Sequence, residues 1–198
     1  MSPKKEYGDF QTPLSLARRV AALIKQEERH VSTIIEPTCG LGAFLQATAE
    51  FFGKSPTYWG FDVNADYVKA ASSALTGIGL PKAVVQQRDF YTTDCRDFLC
   101  GQSEPILIIG NPPWITNAGM GVIGGKNLPE KSNFQGHGGF AAKTGKANFD
   151  ISEWMLMKLL EALQGTRATI AMLCKTATAR KVLRHAWLNG LDAGPSSL

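Results

Sequence analysis

Residues 31–53 read VSTIIEPTCGLGAFLQATAEFFG, an apolar run followed by a Gly-rich turn and a second apolar stretch. The apolar run at residues 31–35 predicts a buried strand, and residues 43–52 have the pattern of a helix that ends at Gly53. Residues 36–42 form the turn between them. A strand, a Gly-rich turn and a helix in this order make one unit of an α/β fold.

The same alternation continues on both sides of this unit. The chain before it predicts a helix over about residues 13–25, with Thr12 as cap and Pro13 in the first turn. The chain after it predicts, in order, a strand at 58–63, a helix at 65–75 capped by Asn64 and ended near Gly77, strands at 83–87 and 106–109, a helix at 149–163 ended at Gly165, a strand at 168–173 and a helix at 176–187. Alternating strands and helices predict a parallel sheet with helices on both faces. The fifth strand is expected at an edge of this sheet, since only a turn-rich tail follows the last helix.

Composition and charge set the broad class. With 198 residues and 44% hydrophobic content, the chain can fill one core, and one domain over residues 1–198 is expected. Residues 1–119 carry 11 Lys/Arg against 12 Asp/Glu, whereas residues 120–198 carry 10 against 5. A basic excess of this size is compatible with a polyanionic partner and equally with a solvated surface.

Cysteine and histidine spacing gives no sign of a metal centre or a disulfide framework. None of the four cysteines forms a CxxC pair, and the three histidines are far apart in sequence. The first residues lead into no apolar stretch of signal length, and no stretch approaches ~18–20 apolar residues. A reduced, cytoplasmic protein without a membrane segment is therefore expected.

Residues 115–148 interrupt the alternation. This segment holds eight glycines and four lysines, and it is far longer than an ordinary connection of ~4–6 residues. Such a segment is typical of a functional flap or an insert, and its lysines could meet phosphates.

Two strand ends carry candidate ligand-binding residues. In open parallel sheets ligands bind at the carboxyl ends of the strands, where Gly40 and Gly42 would let the backbone approach a ligand closely. Asp62 ends the second predicted strand 20 positions after Gly42, about where an acidic residue of a dinucleotide-binding fold reaches a ribose diol. The turn lacks the full GxGxxG pattern, so its glycine spacing alone also fits an ordinary tight turn.

The fourth predicted strand ends in Asn111-Pro112-Pro113-Trp114. The prolines have no N–H groups and a fixed φ, so the turn is stiff and rich in acceptors. The Asn111 side-chain oxygen and the Asn111 and Pro112 carbonyls can together accept hydrogen bonds from both N–H groups of an –NH2 group. These hydrogen bonds would let an amine nitrogen whose lone pair is delocalised become pyramidal and direct that lone pair at an electrophile. Trp114 offers a flat face to a planar group that has left its stack.

These motifs together resemble the S-adenosylmethionine-dependent amino-methyltransferases of DNA, above all the adenine-specific, restriction-modification-like family with an NPPW motif. The family's first motif resembles EPTCGLG (36–42), its second GFDVN (60–64), its third RDF (88–90) and its fourth NPPW (111–114). A further motif of one subgroup precedes the first and resembles FQTP (10–13). The resemblance runs from about Tyr7 to about Leu183 and implies a Rossmann-like, class I methyltransferase fold.

The resemblance also implies roles for individual residues. The cofactor would be S-adenosylmethionine, with its methionine end near Thr12, Gly40 and Gly42. Asp62 would take the ribose hydroxyls, Asp89 the adenine amino group and Phe90 an adenine face. Asn111 and Pro112 would bind the target amine, and Trp114 would stack on the flipped base. The full expected cofactor set is Thr12, Glu36, Thr38, Gly40, Gly42, Asp62, Asp89, Phe90 and Asn111; the full expected catalytic and substrate set is Asn111, Pro112, Pro113 and Trp114. Residues 149–150 resemble the start of the family's helix beside the cofactor pocket, and Asp62, Asp89 and Asp150 each also fit a capping or surface position.

Three functions remain open from the sequence. The first is direct, in-line methylation of the adenine amine in DNA, with no covalent enzyme intermediate and with Cys39 as a small buried residue. The second is another amine methyltransferase, acting on cytosine in DNA, on RNA or on a protein glutamine. The third is a silent module that needs a partner chain. The family's sheet has seven strands and ends in a hairpin, and a separate target-recognition region is usual. Five predicted strands therefore lead us to expect a truncated domain completed by a partner chain or by further C-terminal sequence.

Overall fold

The computed structural model describes residues 11–28, 30–90, 92–113 and 151–194, and within them five parallel strands form one sheet. The strands are β1 (Thr33–Glu36), β2 (Thr57–Asp62), β3 (Val84–Gln87), β4 (Ile106–Gly110) and β5 (Ala168–Met172). The helices are α1 (Leu14–Glu27), α2 (Ala43–Phe52), α3 (Ala65–Gly77), α4 (Cys95–Cys100), α5 (Ile151–Ala162) and α6 (Thr176–Leu188). The α/β class that the alternation predicts is confirmed.

The strand order creates a crevice between two central strands. The strands lie in the order β3-β2-β1-β4-β5. The chain moves outward from β1 to β3 and then returns to place β4 on the other side of β1. Such a reversal leaves an opening at the carboxyl ends of β1 and β4, where α/β proteins bind ligands. The Gly-rich turn after β1 and the Asn-Pro-Pro turn after β4 therefore share this opening.

Helices cover both faces of the sheet, as predicted. Helices α1, α2 and α3 pack with Ile34 and Leu107 on one face. Helices α4 and α5 pack with Ile35 and Ile108 on the other face, and α6 packs against α5 and β5 through Val182. Because β1 and β4 are central and covered on both sides, every one of their residues is buried.

Strand β5 lies at an edge of the described sheet, as expected. All five of its residues are only partly buried, in contrast with those of its neighbour β4. In the part of the chain that the structure describes, no helix has both the length and the apolar character needed to cross a membrane.

Several local predictions are corrected by the structure. Strand β1 begins at Thr33 and extends to Glu36, so a carboxylate occupies the last strand position, opposite Gly60 of β2. The N-cap of α1 is Pro13, with no side-chain cap, so the prediction that Thr12 caps this helix is wrong. Short helix α4 was not predicted; it begins after Asp94, whose side chain accepts hydrogen bonds from two backbone N–H groups of its first turn. Asn64 does cap α3, through the N–H of Asp66.

Some expectations fall on residues outside the described ranges. These are the segment 115–148, the helix start at residues 149–150 and the side chain of Trp114.

A buried carboxylate joins α5 to α6. Glu153 on α5 is fully buried, and its Oε2 lies 3.0 Å from Lys181 Nζ on α6, whose side chain is 55% exposed. We expect Lys181→Met to lower the free energy of unfolding by about 1–3 kcal/mol, because a buried charge loses a charged hydrogen-bond donor. Urea denaturation measures this loss.

Arg180→Met is the matched control, because Arg180 is an exposed cation on the same helix. Equal effects of the two substitutions would contradict a stabilising role for the Glu153–Lys181 pair.

Candidate functional site

The Gly-rich turn takes backbone conformations that glycine adopts most readily. Gly40 has φ +50° and Gly42 has φ +76°, and Gly42 is also the N-cap residue of α2. A Cβ atom placed on Gly40 would lie 2.5 Å from Gln11 Oε1, which is the end of an exposed side chain, so the positive φ and not a lack of space favours glycine at this position. The turn therefore places a left-handed glycine at the opening between β1 and β4, with the Gln11 side chain beside it.

Asp62 fixes the shape of this turn from the end of the neighbouring strand. Its carboxylate accepts hydrogen bonds from the N–H of Gly40 at 2.9 Å and from the N–H of Asn64 at 2.8 Å. The second bond holds Asn64, the N-cap residue of α3, as expected if Asp62 is a neighbour of a helix cap. A carboxylate has about four acceptor sites, and the Gly40 and Asn64 N–H groups occupy two of them.

Glu36 lies buried beneath the turn. It is only 3% exposed, and its Oε2 accepts a hydrogen bond from the N–H of Leu45 in the first turn of α2. Burial raises the pKa of Glu36 well above its ordinary value of 4.5; the Leu45 N–H opposes this rise and the Asp62 carboxylate adds to it. Glu36 thus lies at the base of the site as a carboxyl that favours its protonated form.

The raised pKa of Glu36 predicts a pH-dependent stability. A carboxyl whose folded-state pKa is raised contributes stability that is complete below its unfolded pKa and is lost as pH rises through its folded pKa. Glutamine keeps an oxygen for the Leu45 N–H but does not titrate. We therefore expect the stability of Glu36→Gln, relative to wild type, to rise as pH increases above about 4.5, as measured by chemical denaturation at a series of pH values.

Glu50 is a control for which the change of stability with pH should have the opposite sign. Hydrogen bonds from the Arg18 guanidinium lower the pKa of Glu50, so its contribution is present above its unfolded pKa and is lost as pH falls. Glu50→Gln should therefore become relatively less stable as pH rises. A Glu36→Gln difference that stays constant with pH would contradict the prediction for Glu36.

Asn111 follows β4 directly and has an unpaired acceptor. Its Nδ2 donates a hydrogen bond to Thr12 Oγ1 at 3.3 Å. Its Oδ1 is buried and has no hydrogen-bond partner among the described residues. Pro112 is buried and Pro113 is half-buried beside it. Buried acceptors are usually satisfied, and this oxygen has no such partner within residues 11–28, 30–90, 92–113 and 151–194.

Thr38 has a second unpaired polar atom on the neighbouring strand end. Its hydroxyl oxygen is buried and, like Asn111 Oδ1, finds no partner within the described ranges. The two atoms belong to turns that follow the adjacent strands β1 and β4. Each of the two strand ends at the opening therefore carries one buried polar atom without a partner among the described residues.

The segment before α1 bridges the two turns. Gln11 Oε1 accepts a hydrogen bond from the N–H of Leu41 in the Gly-rich turn, and Thr12 bonds to Asn111 in the Asn-Pro-Pro turn. The structure thus brings together three of the predicted motifs. The sequence interpretation included Thr12 in the site but missed Gln11, although Gln11 precedes Thr12 in the same quoted motif.

Asp89 and Phe90 lie at the end of β3, next to the strand end that carries Asp62. The N–H of Arg88 donates to the backbone oxygen of Asp62 at 2.9 Å, which places the Asp89 turn beside it. Phe90 is 8% exposed and meets Trp154 edge to face, with ring centroids 5.8 Å apart. Phe90 also lines an apolar pocket together with Pro37 and Phe61.

The cysteines in this region lack the character of nucleophiles. Cys39 is buried, as expected, and burial with two nearby carboxylates raises the pKa of its thiol. Burial chiefly raises the pKa of Cys95 to about 11. Both thiols are therefore protonated near neutral pH, and neither is activated for covalent catalysis.

Comparisons with known proteins agree with this arrangement. Residues 2–178 match a family model described as N-6 DNA Methylase. A curated relative, the Type II methyltransferase M.NspV of Nostoc sp., is 43% identical over 182 residues, which is 92% of this chain and 38% of the relative. This chain therefore spans well under half of that relative's length.

Solved structures support the fold alone, because their sequences are distant. A type I restriction-modification methyltransferase subunit from Streptococcus thermophilus has a TM-score of 0.56 at 18% identity, covering 88% of this chain and 38% of that one. TrmN from Thermus thermophilus has a TM-score of 0.54 at 16% identity, covering 87% of this chain and 42% of that one. The described sheet and its helices therefore have the class I, Rossmann-like methyltransferase fold.

Proposed function

Because this chain belongs to the N-6 DNA methylase family, we propose that it transfers a methyl group from S-adenosylmethionine to the exocyclic amine of adenine in DNA. One observation carries the proposal. The buried, unpaired Oδ1 of Asn111 lies at the end of β4, at the opening that it shares with the Gly-rich turn. An amine donor is the partner that this oxygen lacks.

The Asn-Pro-Pro turn supplies the chemistry toward the substrate. Asn111 Oδ1 would accept a hydrogen bond from one amine N–H and the Pro112 carbonyl from the other, which turns the nitrogen lone pair out of conjugation with the ring. The stiff turn holds both acceptors in place before the substrate arrives. Correct alignment of reacting groups can contribute ~7–11 kcal/mol toward lowering a barrier.

The cofactor residues lie around the opening. Gly40 lies in the Gly-rich turn beside Gln11, Asp62 would offer acceptors to the ribose, and Asp89 lies beside the Asp62 strand end. Glu36 lies beneath the turn and accepts a hydrogen bond from the Leu45 N–H, Thr38 and Gly42 belong to the turn, Thr12 bonds to Asn111 beside it, and Phe90 follows β3. When bound, S-adenosylmethionine would supply a methyl group that its positive sulfur already activates: the N–C bond forms as the C–S bond breaks, S-adenosylhomocysteine is the leaving group, and the methylated nitrogen releases one proton to solvent, so the protein needs no covalent nucleophile.

Basic residues favour a nucleic acid as the substrate. Lys175, the N-cap residue of α6, follows the carboxyl end of β5 at the same edge of the sheet as the opening, and α6 exposes Arg180 and Arg184 further along the helix. Exposed cations of this kind can neutralise phosphates. These side chains support a DNA substrate over a protein substrate.

The exposed edge of β5 favours further structure beside it. Its outer side has no strand neighbour among the described residues, and all its side chains are partly exposed. We propose that this catalytic domain works with a further polypeptide segment or partner chain, which completes the sheet and contributes target recognition.

The substrate class can be tested with a labelled cofactor methyl group. Full-length protein is offered DNA, RNA and a glutamine-containing, release-factor-type protein in parallel, with Asn111→Ala protein as the control for contaminating activity. We expect label in DNA alone. Label in RNA or protein, and none in DNA, would replace the proposal with the corresponding amine methyltransferase, and no label in any substrate would favour a silent module.

A further inference from the structure

Each backbone N–H of residues 39–42 in the Gly-rich turn has an acceptor in the protein. For residues 39, 40 and 42 the acceptor lies in β2 or in the turn itself, and these acceptors are the carbonyl of Phe61, the carboxylate of Asp62 and the carbonyl of Cys39. The N–H of Leu41 donates instead to Gln11 Oε1 at 3.0 Å, and Gln11 belongs to the segment before α1. The segment before α1 therefore holds the turn at Leu41.

The hydrogen bond to Leu41 fixes the orientation of the Gln11 amide. A backbone N–H only donates, so the atom that faces it must be an acceptor, which is Oε1 and not Nε2. The same amide lies against Gly40, because a Cβ placed on Gly40 would lie 2.5 Å from Oε1 and 3.0 Å from Nε2. Gln11 thus contacts two consecutive residues of the turn.

A second glutamine holds the other backbone group of Leu41. Gln46, in the first turn of α2, donates a hydrogen bond from Nε2 to the Leu41 carbonyl at 3.2 Å. Leu41 itself is 42% exposed, so it gains little from apolar burial. The tip of the turn is therefore held by side-chain hydrogen bonds to its backbone and not by packing of its own side chain.

The segment that carries Gln11 has anchors of its own. The next residue, Thr12, shares a hydrogen bond of 3.3 Å with the Asn111 side chain. The carbonyl of Pro13 accepts a hydrogen bond from the N–H of Ala17, a fully buried residue of α1. Loss of the Gln11 side-chain bond would therefore free the Gly-rich turn and leave the segment in place.

We propose that Gln11 is a positioning residue for the cofactor: by holding the Leu41 N–H, it keeps the Gly-rich turn in the conformation that binds S-adenosylmethionine. This inference rests on the proposed function and adds to it a residue that acts on the cofactor through the turn. Without the bond, the turn occupies the binding conformation for a smaller fraction of the time, and the apparent dissociation constant rises by the inverse of that fraction. Once the cofactor is bound, the rate of methyl transfer should be close to normal.

The test compares Gln11→Met, which has a similar length but no amide, with Gln11→Glu, which keeps an oxygen for the Leu41 N–H. Gln102→Met is the matched control. The Gln102 side chain also makes a hydrogen bond to backbone, from Nε2 to the Phe98 carbonyl at 3.1 Å, but Gln102 precedes β4 and so lies at the opposite end of the sheet from the site. Thermal unfolding first establishes that each full-length variant is folded. Calorimetric titration then gives the affinity for S-adenosylmethionine, and single-turnover assays give the rate at saturating cofactor.

We expect Gln11→Met to weaken S-adenosylmethionine binding about three- to tenfold, as the loss of one hydrogen bond predicts. The rate at saturating cofactor should stay close to wild type. Gln11→Glu should restore most of the affinity, and Gln102→Met should leave it unchanged. Unchanged affinity in a folded Gln11→Met protein, or an equal loss in Gln11→Glu, would overturn the proposal. Tighter binding by Gln11→Met would also overturn it, because Gln11 would then compete with the cofactor for the Leu41 N–H.

A second readout needs no cofactor. In full-length protein labelled with ¹⁵N-leucine, the Leu41 amide signal is assigned by its loss in Leu41→Ile. In Gln11→Met this amide should exchange faster with solvent, because its N–H has lost an acceptor, whereas in Gln11→Glu and Gln102→Met it should exchange at close to the wild-type rate. Unchanged exchange in Gln11→Met would overturn the inference even if the affinity falls. Failure of the wild-type protein to bind S-adenosylmethionine would refute the proposed function, a result distinct from binding that Gln11→Met leaves unchanged.

Discussion

Asn111→Ala in the full-length protein is expected to lower methyl transfer to DNA about 100- to 1,000-fold, the cost of removing one aligned hydrogen-bonding group from a reaction centre. Cofactor affinity should fall far less than the rate, although Asn111 also contacts Thr12 of the expected cofactor set. The reason is that the amide oxygen is the acceptor for the substrate amine, whereas the turn that would hold the cofactor lies on the neighbouring strand end. Single-turnover assays and calorimetric titration with S-adenosylmethionine measure the two quantities separately.

Asn189→Ala is the matched control for this prediction. Asn189 is exposed at the end of α6, so its removal should change neither rate nor affinity. If the Asn-Pro-Pro turn only packs the end of β4, Asn111→Ala should lower thermal stability and leave the rate of the folded fraction intact. A stable Asn111→Ala protein with normal turnover would contradict the role assigned to this amide.

Asp62→Ala is expected to weaken S-adenosylmethionine binding by about 1–3 kcal/mol, the usual cost of losing hydrogen bonds to a buried polar partner. Two effects contribute to this loss. The ribose loses its acceptors, and the N–H of Gly40 loses the carboxylate that holds the Gly-rich turn in place.

Asp62→Asn separates these two effects. An asparagine keeps one oxygen for the Gly40 N–H but offers fewer acceptors to a diol, so an intermediate loss of affinity is expected. Asp66→Ala serves as the control, because Asp66 is an exposed carboxylate in the first turn of α3. Unchanged cofactor affinity in a folded Asp62→Ala protein would contradict the assigned site.

The elements could be predicted because their signals are local. Four apolar residues at 106–109 followed by a Gly-Asn-Pro-Pro sequence can hardly form anything but a buried strand with an abrupt end, and strand β4 is found there. Likewise, the side chain of Asn64 and the glycine at position 53 mark helix ends through contacts within a few residues. Sequence patterns within a few residues were therefore enough to predict the fold class.

The strand order could not be predicted, because it depends on contacts between distant parts of the chain. Nothing in residues 106–110 alone places β4 beside β1 and not beside β3. Glu36 shows the same limit: the apolar run stops before it, so the strand was expected to stop too. In the structure the Glu36 carboxyl is buried against the N-terminus of α2, which follows β1 after the Gly-rich turn.

Thr12 is the most instructive error. A threonine followed by proline and an apolar helix is typical of a helix cap, and local pattern alone favours that interpretation. The actual partner of its hydroxyl, Asn111, is 99 positions away in sequence. A long-range partner of this kind has no sequence signature in a single chain, and only the strand order brings the two residues together.

The most direct test of the proposed function is the chemical identity of the methylated nucleoside. DNA is incubated with full-length protein and S-adenosylmethionine, digested to nucleosides and analysed by mass spectrometry, with Asn111→Ala protein in a parallel reaction. The proposal predicts N6-methyl-2′-deoxyadenosine in the wild-type reaction and none above background with Asn111→Ala. Methylated cytosine in place of methylated adenine, or equal amounts of methylated adenine from both proteins, would contradict it.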